Sequence, residues 1–481
     1  MDCTISEILA DFIVGIEYSR IPFHIKERAK MRVLDFLGVA LAGLQIPSSR
    51  IMIEVVKELG GTKESTIVGE RMKVSCTNAA LANGTMAHAS DYDDDHRSAT
   101  MHPGAVVVPA ALALAEREGC EGSRLIEAIV AGYEVICRVG EAFLGTQYHE
   151  GFHPTGACGV FGAAAVAAKI LKLSPKEIVW GLGIAGTQAS GLEEWKSDGT
   201  WIKRMHPGKA AQSGILAALL AKKGYTGPAT IFEGKYGFLN AFSFERTFDP
   251  KKITEGLGEV FVGHDTAFKP YPCCRFLHQV IDGVLDMGKK DNLKPEDIRE
   301  IRVKTFKVGI DTLMKPEERR YRPKTIVDAQ FSIPFVVGAA VVRKRISLSE
   351  FTEESIRDSQ ILEVASKVKG EEDPKYTKGY PKRFPTSIEI ELKNRSVLKC
   401  YVDIPSGDPE KKEYLDNPSK FNEEIVNKFL QLISGIPSFS RRGSKILTLV
   451  QGLDQARDIS KLMRLLTPPK IHLRIKDECH L

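Results

Sequence analysis

Residues 88–104, HASDYDDDHRSATMHPG, concentrate side chains that can transfer protons or bind cations. Three histidines and four aspartates in this segment could coordinate a metal ion, form a solvated acidic loop or make a proton-transfer centre. The spacing fits no EF-hand loop. The apolar run AVVVPAALALAE follows directly, so His102 is expected at the entrance of a helix and the acids between two buried helices. Carboxylates near imidazoles orient the rings and raise their pKa, which favours proton transfer.

Further candidate groups lie in segments rich in histidine, proline and glycine. GFHPTGACGVFGAAA places His153 directly before a proline, DGTWIKRMHPGKAAQSG contains Lys203 and His206, and KPYPCCRFLH begins with Lys269. Histidines next to prolines are expected in helix-entry loops that face a shared cleft. Cations clustered among helix N-termini would bind a substrate that carries two or three carboxylates.

A dinucleotide-binding pattern, GxGxxG, occurs at residues 181–186 (GLGIAG). That pattern binds a pyrophosphate only where a strand ends and a helix begins. Ser174 and Glu177 form a capping box that has already started a helix. We therefore predict that these glycines are helix-packing positions and that the chain has no Rossmann fold.

A zinc-protease pattern, HExxH, occurs at residues 149–153 (HEGFH). It requires both histidines on one helical face. Gly151 lies inside the pattern, and Pro154 disfavours helical geometry at His153. A metallohydrolase built on His149, Glu150 and His153 is therefore a secondary alternative, and the favoured interpretation uses no metal.

Composition narrows the class of protein. A chain of 481 residues exceeds one ordinary hydrophobic core, which predicts two domains. The 67 basic and 62 acidic residues are dispersed, a pattern not typical of nucleic-acid binding. Nine cysteines without a CxxC pair predict reduced thiols in a cytoplasmic protein, and Cys273 and Cys274 are expected to be passive. The acidic N-terminus predicts no secretory signal, and no uncharged apolar run reaches the length of a membrane-spanning helix.

Periodicity predicts a mainly α-helical protein in three segments. Residues 1–264 form successive helices, with candidates at 22–43, 78–90, 104–118, 123–144, 157–172 and 208–223. Residues 265–410 form a smaller α+β domain, with strands at 298–306, 387–394 and 396–403 and a hairpin turn at Asn394 and Arg395. Residues 411–481 are helical again and are expected to return to the first domain.

Taken together, these segments resemble the MmgE/PrpD family, which includes 2-methylcitrate dehydratase, cis-aconitate decarboxylase and iminodisuccinate epimerase. HASDYDDDHRSATMHPGAVVVPAALALAE, GFHPTGACGVFGAAA, DGTWIKRMHPGKAAQSGILAALLAKKGYTGP, KPYPCCRFLHQVID and TIVDAQFSIPF occur in family order. The resemblance implies an all-helical domain made from both chain ends, an inserted α+β lid domain, a homodimer, and chemistry on a small polycarboxylate without a cofactor.

The resemblance also implies roles for individual residues. The residues implied to be catalytic are Asp91, His102, His153 and Lys203. The residues implied to bind the substrate are His206, Lys269 and Tyr321. Two departures concern the acidic segment, where Asp95 replaces a threonine of the decarboxylase branch and Met101 is an insertion. The chain also lacks the DTWLAAEWGHP pattern of the methylcitrate dehydratase branch.

A lyase with acid–base chemistry is the function that this resemblance predicts. We expect a hydro-lyase of the 2-methylcitrate dehydratase type, in which proton transfer beside a carboxylate accompanies loss of water. An epimerase of an iminodisuccinate-like acid and a decarboxylase of a cis-aconitate-like acid remain alternatives. No nucleic acid or membrane partner is expected.

Overall fold

The structure, a computed structural model, describes residues 3–469 and is mainly helical. Its first nine long helices are Ile5–Gly15, Phe23–Gly43, Pro47–Leu59, Cys76–His88, Gly104–Glu118, Gly122–Glu141, Pro154–Leu171, Pro175–Gly186 and Ile202–Lys222. Long helices of the later segments are His278–Lys290, Ile333–Arg343, Pro418–Ser434 and Gly443–Gln451. Shorter α-helices connect them at Thr146–His149, Trp195–Asp198, Phe238–Ala241, Lys251–Thr254, Lys307–Leu313, Glu317–Tyr321, Ile326–Gln330, Ser359–Ala365, Pro374–Gly379, Lys412–Asp416, Pro437–Ser440 and Ser460–Leu465.

Small residues allow the central helices to pack closely. Helix Pro154–Leu171 lies against helix Ile202–Lys222, where a Cβ atom on Gly214 would lie only 2.5 Å from that of Ala163. The glycines of the GxGxxG pattern lie inside helix Pro175–Gly186, and a Cβ on Gly183 would collide with Pro228. The prediction that these glycines are helix-packing positions is confirmed.

One four-stranded sheet supplies the β part of the second segment. Its strands are β1 (Ile298–Thr305), β2 (Val368–Glu372), β3 (Thr386–Leu392) and β4 (Val397–Val402), in the order β2-β1-β3-β4. β1 pairs parallel to β2 and antiparallel to β3. The predicted hairpin joins β3 to β4, and Arg395 has a φ of 71° in its turn. A further two-stranded ladder joins Ser65–Thr66 to Lys73–Val74.

Buried apolar side chains form two clusters. The larger cluster draws on positions between 9 and 268 and between 414 and 466, so residues near both chain ends share one core. The smaller cluster lies mainly between 273 and 390 and includes Tyr148 and Trp195 from the first segment. This distribution supports the division at residues 265 and 411, which we retain as a proposal.

The start of helix Ile202–Lys222 differs from the prediction. The sequence placed it at 208, after a proline, whereas Pro207 lies within the second turn of the helix. His206 is therefore helical and not part of an entry loop. Lys203 and His206 are three residues apart and lie on one helical face. Helix Pro154–Leu171 is long and apolar enough to span a bilayer, but its residues are packed inside the fold.

Candidate active site

The acidic segment is buried between helices Cys76–His88 and Gly104–Glu118. Each of its four aspartates is at most 5% exposed, so the solvated-loop alternative is wrong. Asp94 accepts hydrogen bonds from the Gly104 amide at 2.8 Å and from the Tyr133 hydroxyl at 2.6 Å, which ties the segment to the entrance of the second helix. Burial raises the pKa of Asp94 to about 7, although the Tyr133 hydrogen bond opposes that shift.

Asp91 is the anionic centre of the site. Its Oδ1 accepts hydrogen bonds from Lys203 Nζ at 3.1 Å and from Lys269 Nζ at 2.9 Å. Burial would raise the pKa of Asp91, but these two ammonium groups hold it well below its usual range. Burial likewise opposes the charge on Lys269, whose pKa the surrounding aspartates raise above its usual value. Asp91 and Lys269 are therefore charged at neutral pH.

His102 has a defined tautomer. Its Nδ1 lies 2.9 Å from the main-chain carbonyl oxygen of Asp94, an acceptor only, so Nδ1 carries the proton. Nε2 is then an unprotonated acceptor, 4.0 Å from Oδ1 of Asp91. Asp94 orients this ring through its main-chain carbonyl group, whereas the sequence predicted that carboxylates orient the imidazoles.

The pKa shift of His102 is opposite to the one expected from the sequence. Nearby carboxylates were expected to raise it, but burial and then the ammonium group of Lys269 hold the pKa of His102 well below its usual value. Burial disfavours the imidazolium, and the two lysines offset the aspartates. His102 is therefore a neutral imidazole at neutral pH and can act as a base.

His153 and His206 form a second pair of imidazoles. Their Nδ1 atoms lie 3.0 Å apart, so one ring donates a hydrogen bond to the other. His153 precedes helix Pro154–Leu171 as its N-cap, which confirms its predicted place in an entry loop. Burial, and after it Lys203, lowers the pKa of His206 to about 4 and holds that of His153 well below its usual value.

His88 was not assigned a role from the sequence, yet it lies at the centre of the cluster. Its Nδ1 lies 2.8 Å from Asp93 Oδ2 and its Nε2 lies 2.8 Å from Lys203 Nζ. Its ring centroid lies 4.8 Å from that of His102 and 5.7 Å from that of His153. A signal was present in the sequence, because His88 and Asp93 belong to the segment 88–104, which is rich in histidine and aspartate.

A small cavity joins the catalytic candidates. Its volume is about 30 Å³, enough for one or two water molecules. The residues that line it are Asp91, Asp95, Thr100, His102, Tyr148, His153, Lys203, Cys274, Arg275, Phe276 and Phe331. Each residue predicted to be catalytic, namely Asp91, His102, His153 and Lys203, is among them.

The predicted substrate-binding residues do not line this cavity. Lys269 is fully buried and donates to Asp91, and His206 supports the ring of His153. Tyr321 lies in the lid segment, where its hydroxyl donates to the carbonyl oxygen of Val368 at 2.7 Å. Tyr148 is the tyrosine that reaches the cavity wall, and the role of Tyr321 stays a prediction.

Cysteine chemistry has little support at the site. Every cysteine between residues 3 and 469 has a free thiol. Burial raises the pKa of Cys274 to about 12 and that of Cys273 well above its usual value. Neither thiol is a nucleophile at neutral pH, which agrees with the expectation that they are passive.

Two overlapping groups place possible metal ligands within 4.8 Å of one another: His88, His102 and His153, and His88, Asp91, Asp93 and His102. Their fit to a metal ion is poor for an electrostatic reason. The ammonium group of Lys203 lies 2.8 Å from His88 Nε2 and 3.1 Å from Asp91 Oδ1. A divalent cation bound there would have to displace this charge and face that of Lys269 as well.

The HExxH pattern does not form the helical site that a zinc protease needs. His149 ends the four-residue helix Thr146–His149, and Gly151 has a φ of 96°. Glu150 accepts a hydrogen bond from the Phe244 amide, while His153 pairs with His206. The secondary alternative of a metallohydrolase on His149, Glu150 and His153 is therefore wrong in its geometry.

A mainly helical fold with a smaller α+β part, and a buried cluster of acids, imidazoles and ammonium groups, define the class of this protein. Sequence profiles of two domains match it: the MmgE/PrpD N-terminal domain over residues 7–251 and the MmgE/PrpD C-terminal domain over residues 271–454. The chain belongs to the MmgE/PrpD family.

Curated relatives are similar to the chain over most of its length. A cis-aconitate decarboxylase of Aspergillus terreus is 28% identical over 468 residues, which cover 93% of each chain. The cis-aconitate decarboxylase of Homo sapiens is 27% identical, over 97% of this chain and 96% of the relative. A mitochondrial 2-methylcitrate dehydratase of Yarrowia lipolytica is 22% identical, over 80% and 77%. Relatives of both kinds are enzymes named for small polycarboxylates.

Proposed function

We propose that the protein is a lyase that transfers a proton beside a carboxylate of a small polycarboxylate. The observation that carries the proposal is the neutral His102, whose tautomer presents an unprotonated Nε2 in a cavity that Lys203 and Arg275 also line. A general base must be unprotonated and within reach of the substrate proton. The first candidate reaction is dehydration of a hydroxy polycarboxylate of the 2-methylcitrate type, a hydro-lyase reaction.

In this reaction Nε2 of His102 removes a proton from the carbon next to a carboxylate. The electron pair of that C–H bond forms the new double bond as the hydroxyl group leaves the neighbouring carbon. His153 supplies the proton that converts the hydroxyl group to water, and it does so as an imidazolium whose pKa the bound polyanion raises, with its Nδ1–H donating a hydrogen bond to Nδ1 of His206. The proton taken by His102 then returns to solvent, and His153 takes up a proton from solvent for the next turnover.

Cations stabilise the negative charge that develops on the substrate carboxylate. Lys203 directs two of its three N–H bonds to His88 and Asp91, which leaves the third for the substrate. Lys269 is not positioned to contact the substrate, and its proposed role is to hold Asp91. Preorganised charge of this kind is usually the largest contribution to catalysis.

A substrate can enter only if the site opens. A tricarboxylate is several times larger than the cavity of about 30 Å³. A larger cleft of about 820 Å³ shares Tyr148 with it and lies between residues 148–197 and the lid residues 308–320. We propose that movement of the α+β segment connects the two spaces during entry and closes the site for the reaction.

Decarboxylation of a cis-aconitate-like acid is the second candidate. The two cis-aconitate decarboxylases described above are similar over at least 93% of this chain, whereas the dehydratase is similar over 80%. In a decarboxylation the C–C bond breaks with release of CO₂, and an imidazolium must protonate the resulting carbanion. The low pKa values of His102 and His153 oppose that role in the closed, unliganded site. A bound trianion would raise them.

One experiment separates the candidates. Purified protein is mixed with 2-methylcitrate, citrate, cis-aconitate or iminodisuccinate in deuterated water and followed by proton NMR, with CO₂ measured in parallel. Formation of an unsaturated acid without CO₂ supports the hydro-lyase, and CO₂ release from cis-aconitate supports the decarboxylase. Deuterium incorporation without either product identifies an epimerase. No change in any substrate contradicts the proposed function.

We also propose that the protein forms a homodimer and that it is located in the cytoplasm. Helix Pro47–Leu59 exposes Ile51, Val55 and Leu59 along one face. Two further apolar side chains, Trp201 and Ile202, are also exposed. Arg204 links the two regions by a hydrogen bond to Ser48. Such an apolar face suits a second copy of the chain. Sedimentation of the wild type and of Val55→Glu tests this, with a monomeric wild type as the contrary result.

A further inference from the structure

Arg275 is a buried cation in the cavity wall whose donors are only partly used. It is 2% exposed and begins the 3₁₀ turn Arg275–Leu277. Its Nη2 donates to Oδ2 of Asp408 at 3.0 Å. Within residues 3–469, its Nε and Nη1 have no hydrogen-bond acceptor, and an oxygen of Asp95 lies 3.9 Å from Nε. A buried guanidinium keeps its charge, so unused donors are unfavourable unless a ligand supplies an acceptor.

Asp408 fixes the position of this guanidinium. It is 1% exposed, and its Oδ2 also accepts a hydrogen bond from Arg97 at 2.7 Å. The neighbouring Gly407 has a φ of 81°, and its carbonyl accepts a hydrogen bond from the amide of Phe268. Arg275 is therefore anchored at a point where two parts of the chain meet. One part leads from the helical segment into the α+β segment, and the other leads back.

We infer that Arg275 binds one carboxylate of the substrate through its free Nη1 donor and makes the site selective for tricarboxylates over dicarboxylates. The inference rests on the proposed function, because it assumes a polycarboxylate in this cavity. Lys203 has one N–H bond left for a substrate, whereas Nη1 of Arg275 has two N–H bonds without an acceptor. Arginine is the side chain best suited to a carboxylate. Asp408 is a positioning residue that acts through Arg275.

The experiment uses two probes that differ by one carboxylate and that a lyase cannot convert: tricarballylate and glutarate. Their binding to wild type and Arg275→Gln is measured by titration calorimetry. We expect at least a tenfold loss of tricarballylate affinity in Arg275→Gln, with glutarate affinity changed by no more than about twofold. Arg275→Lys keeps the charge but not the geometry and is expected to fall between wild type and Arg275→Gln.

A matched control is Arg383→Gln, which removes a cation of the lid segment that pairs with Glu410 and lies outside the cavity wall. It is expected to leave both affinities unchanged. If Arg275→Gln does not fold, Asp408→Asn replaces it, and a severalfold loss for tricarballylate alone is expected. Unchanged tricarballylate binding in Arg275→Gln, or equal losses for both probes in a folded variant, would overturn the inference.

The probes also separate this inference from the proposed function. Because neither probe is turned over, their binding does not depend on any catalytic step. Selective loss of tricarballylate binding, together with no turnover of any candidate substrate by the wild type, would support the role of Arg275 and contradict the lyase. Turnover by the wild type, together with unchanged probe binding in Arg275→Gln, would support the lyase and contradict the role of Arg275.

Discussion

Lys269 donates from one ammonium group to two oxygen atoms of Asp91, at 2.9 Å to Oδ1 and at 3.0 Å to the main-chain carbonyl. Asp91 has a φ of 52°, in the left-handed region that few residues other than glycine adopt. The lysine therefore stabilises both the charge and the unusual backbone of the same residue. The ion pair with Lys203 completes a buried group of one anion and two cations.

Asp91→Asn leaves the two ammonium groups buried without their shared anion. Breaking a buried ion pair by removing one partner costs about 3–5 kcal/mol, and we expect that loss in the free energy of unfolding. Urea unfolding measures it. The matched control is Asp311→Asn, because Asp311 also contacts two lysines, at 2.8 and 3.1 Å, but is exposed. Its loss should stay below about 1 kcal/mol, and equal losses in both variants would refute the account.

His102→Asn removes the proposed base and keeps a polar side chain that can bond to the Asp94 carbonyl. Turnover is expected to fall by about a hundredfold or more, the usual contribution of a general base. Steady-state kinetics with the substrate identified by NMR measure the change. His24→Asn is the control, because the ring of His24 packs against that of His264 and His24 is not among the residues of the cavity wall. A folded His102→Asn enzyme with wild-type kinetics would contradict the assignment.

Acidification should destabilise the protein through its buried imidazoles. His206 titrates near 6.5 when unfolded and at about 4 when folded. Between these values the unfolded chain binds more protons, so the contribution is present above about 6.5 and is lost as the pH falls towards 4. The lowered pKa values of His88, His102 and His153 act in the same direction.

Asp94 opposes this trend. Its folded pKa of about 7 means that its contribution to stability falls as the pH rises from about 4 to 7.

The contribution of His206 is therefore tested by comparing how steeply the free energy of unfolding changes with pH in the wild type and in His206→Asn. The free energy of unfolding of His206→Asn should change less between pH 6.5 and 4 than that of the wild type. Parallel curves for the two proteins would show that His206 is not the group responsible.

Much of this fold could be predicted because its signals are local. Helix Gly104–Glu118 begins and ends at the predicted residues, and β1, β3 and β4 lie within one or two residues of the predicted strands. Alternating and helical periodicities report which face of an element is buried. The start of helix Ile202–Lys222 was missed because packing tolerates Pro207 where the local rule places a boundary.

The catalytic candidates could be predicted, but their electrostatics could not. Asp91, His102, His153 and Lys203 come from separate segments, and the family pattern grouped them correctly around one cavity. The direction of the His102 pKa shift depends on burial and on Lys269, which lies 167 positions further along the chain. Arg275 and His88 were missed because their roles depend on which hydrogen-bond donors and acceptors around them already have partners in the folded protein.

Tyr321→Phe tests whether Tyr321 binds the substrate, as the family resemblance implies. Loss of the hydrogen bond to Val368 should reduce the free energy of unfolding by about 1 kcal/mol, without direct contact to the cavity. We expect kcat and KM to stay within about twofold of the wild type. A tenfold or greater fall in kcat/KM, with the fold intact by circular dichroism, would place Tyr321 at the substrate after all.

Lys428 connects helix Pro418–Ser434 to the acidic segment. Its Nζ lies 2.7 Å from Oδ1 of Asp35 and donates to the carbonyl oxygen of Tyr92 at 2.7 Å, immediately next to Asp91. Lys428→Met leaves Asp35 buried without its cation and frees the Tyr92 carbonyl. We expect a loss of about 3–5 kcal/mol in the free energy of unfolding and a fall in turnover as the segment loses its support.

A double-variant cycle separates the ion pair from the hydrogen bond to Tyr92. Asp35→Leu combined with Lys428→Met replaces both charges with apolar groups and should recover most of the stability lost in Lys428→Met. Turnover should recover less, because the Tyr92 carbonyl still lacks its donor. Full recovery of turnover together with stability would show that Lys428 acts only through the charge of Asp35 and does not position the residues beside Asp91.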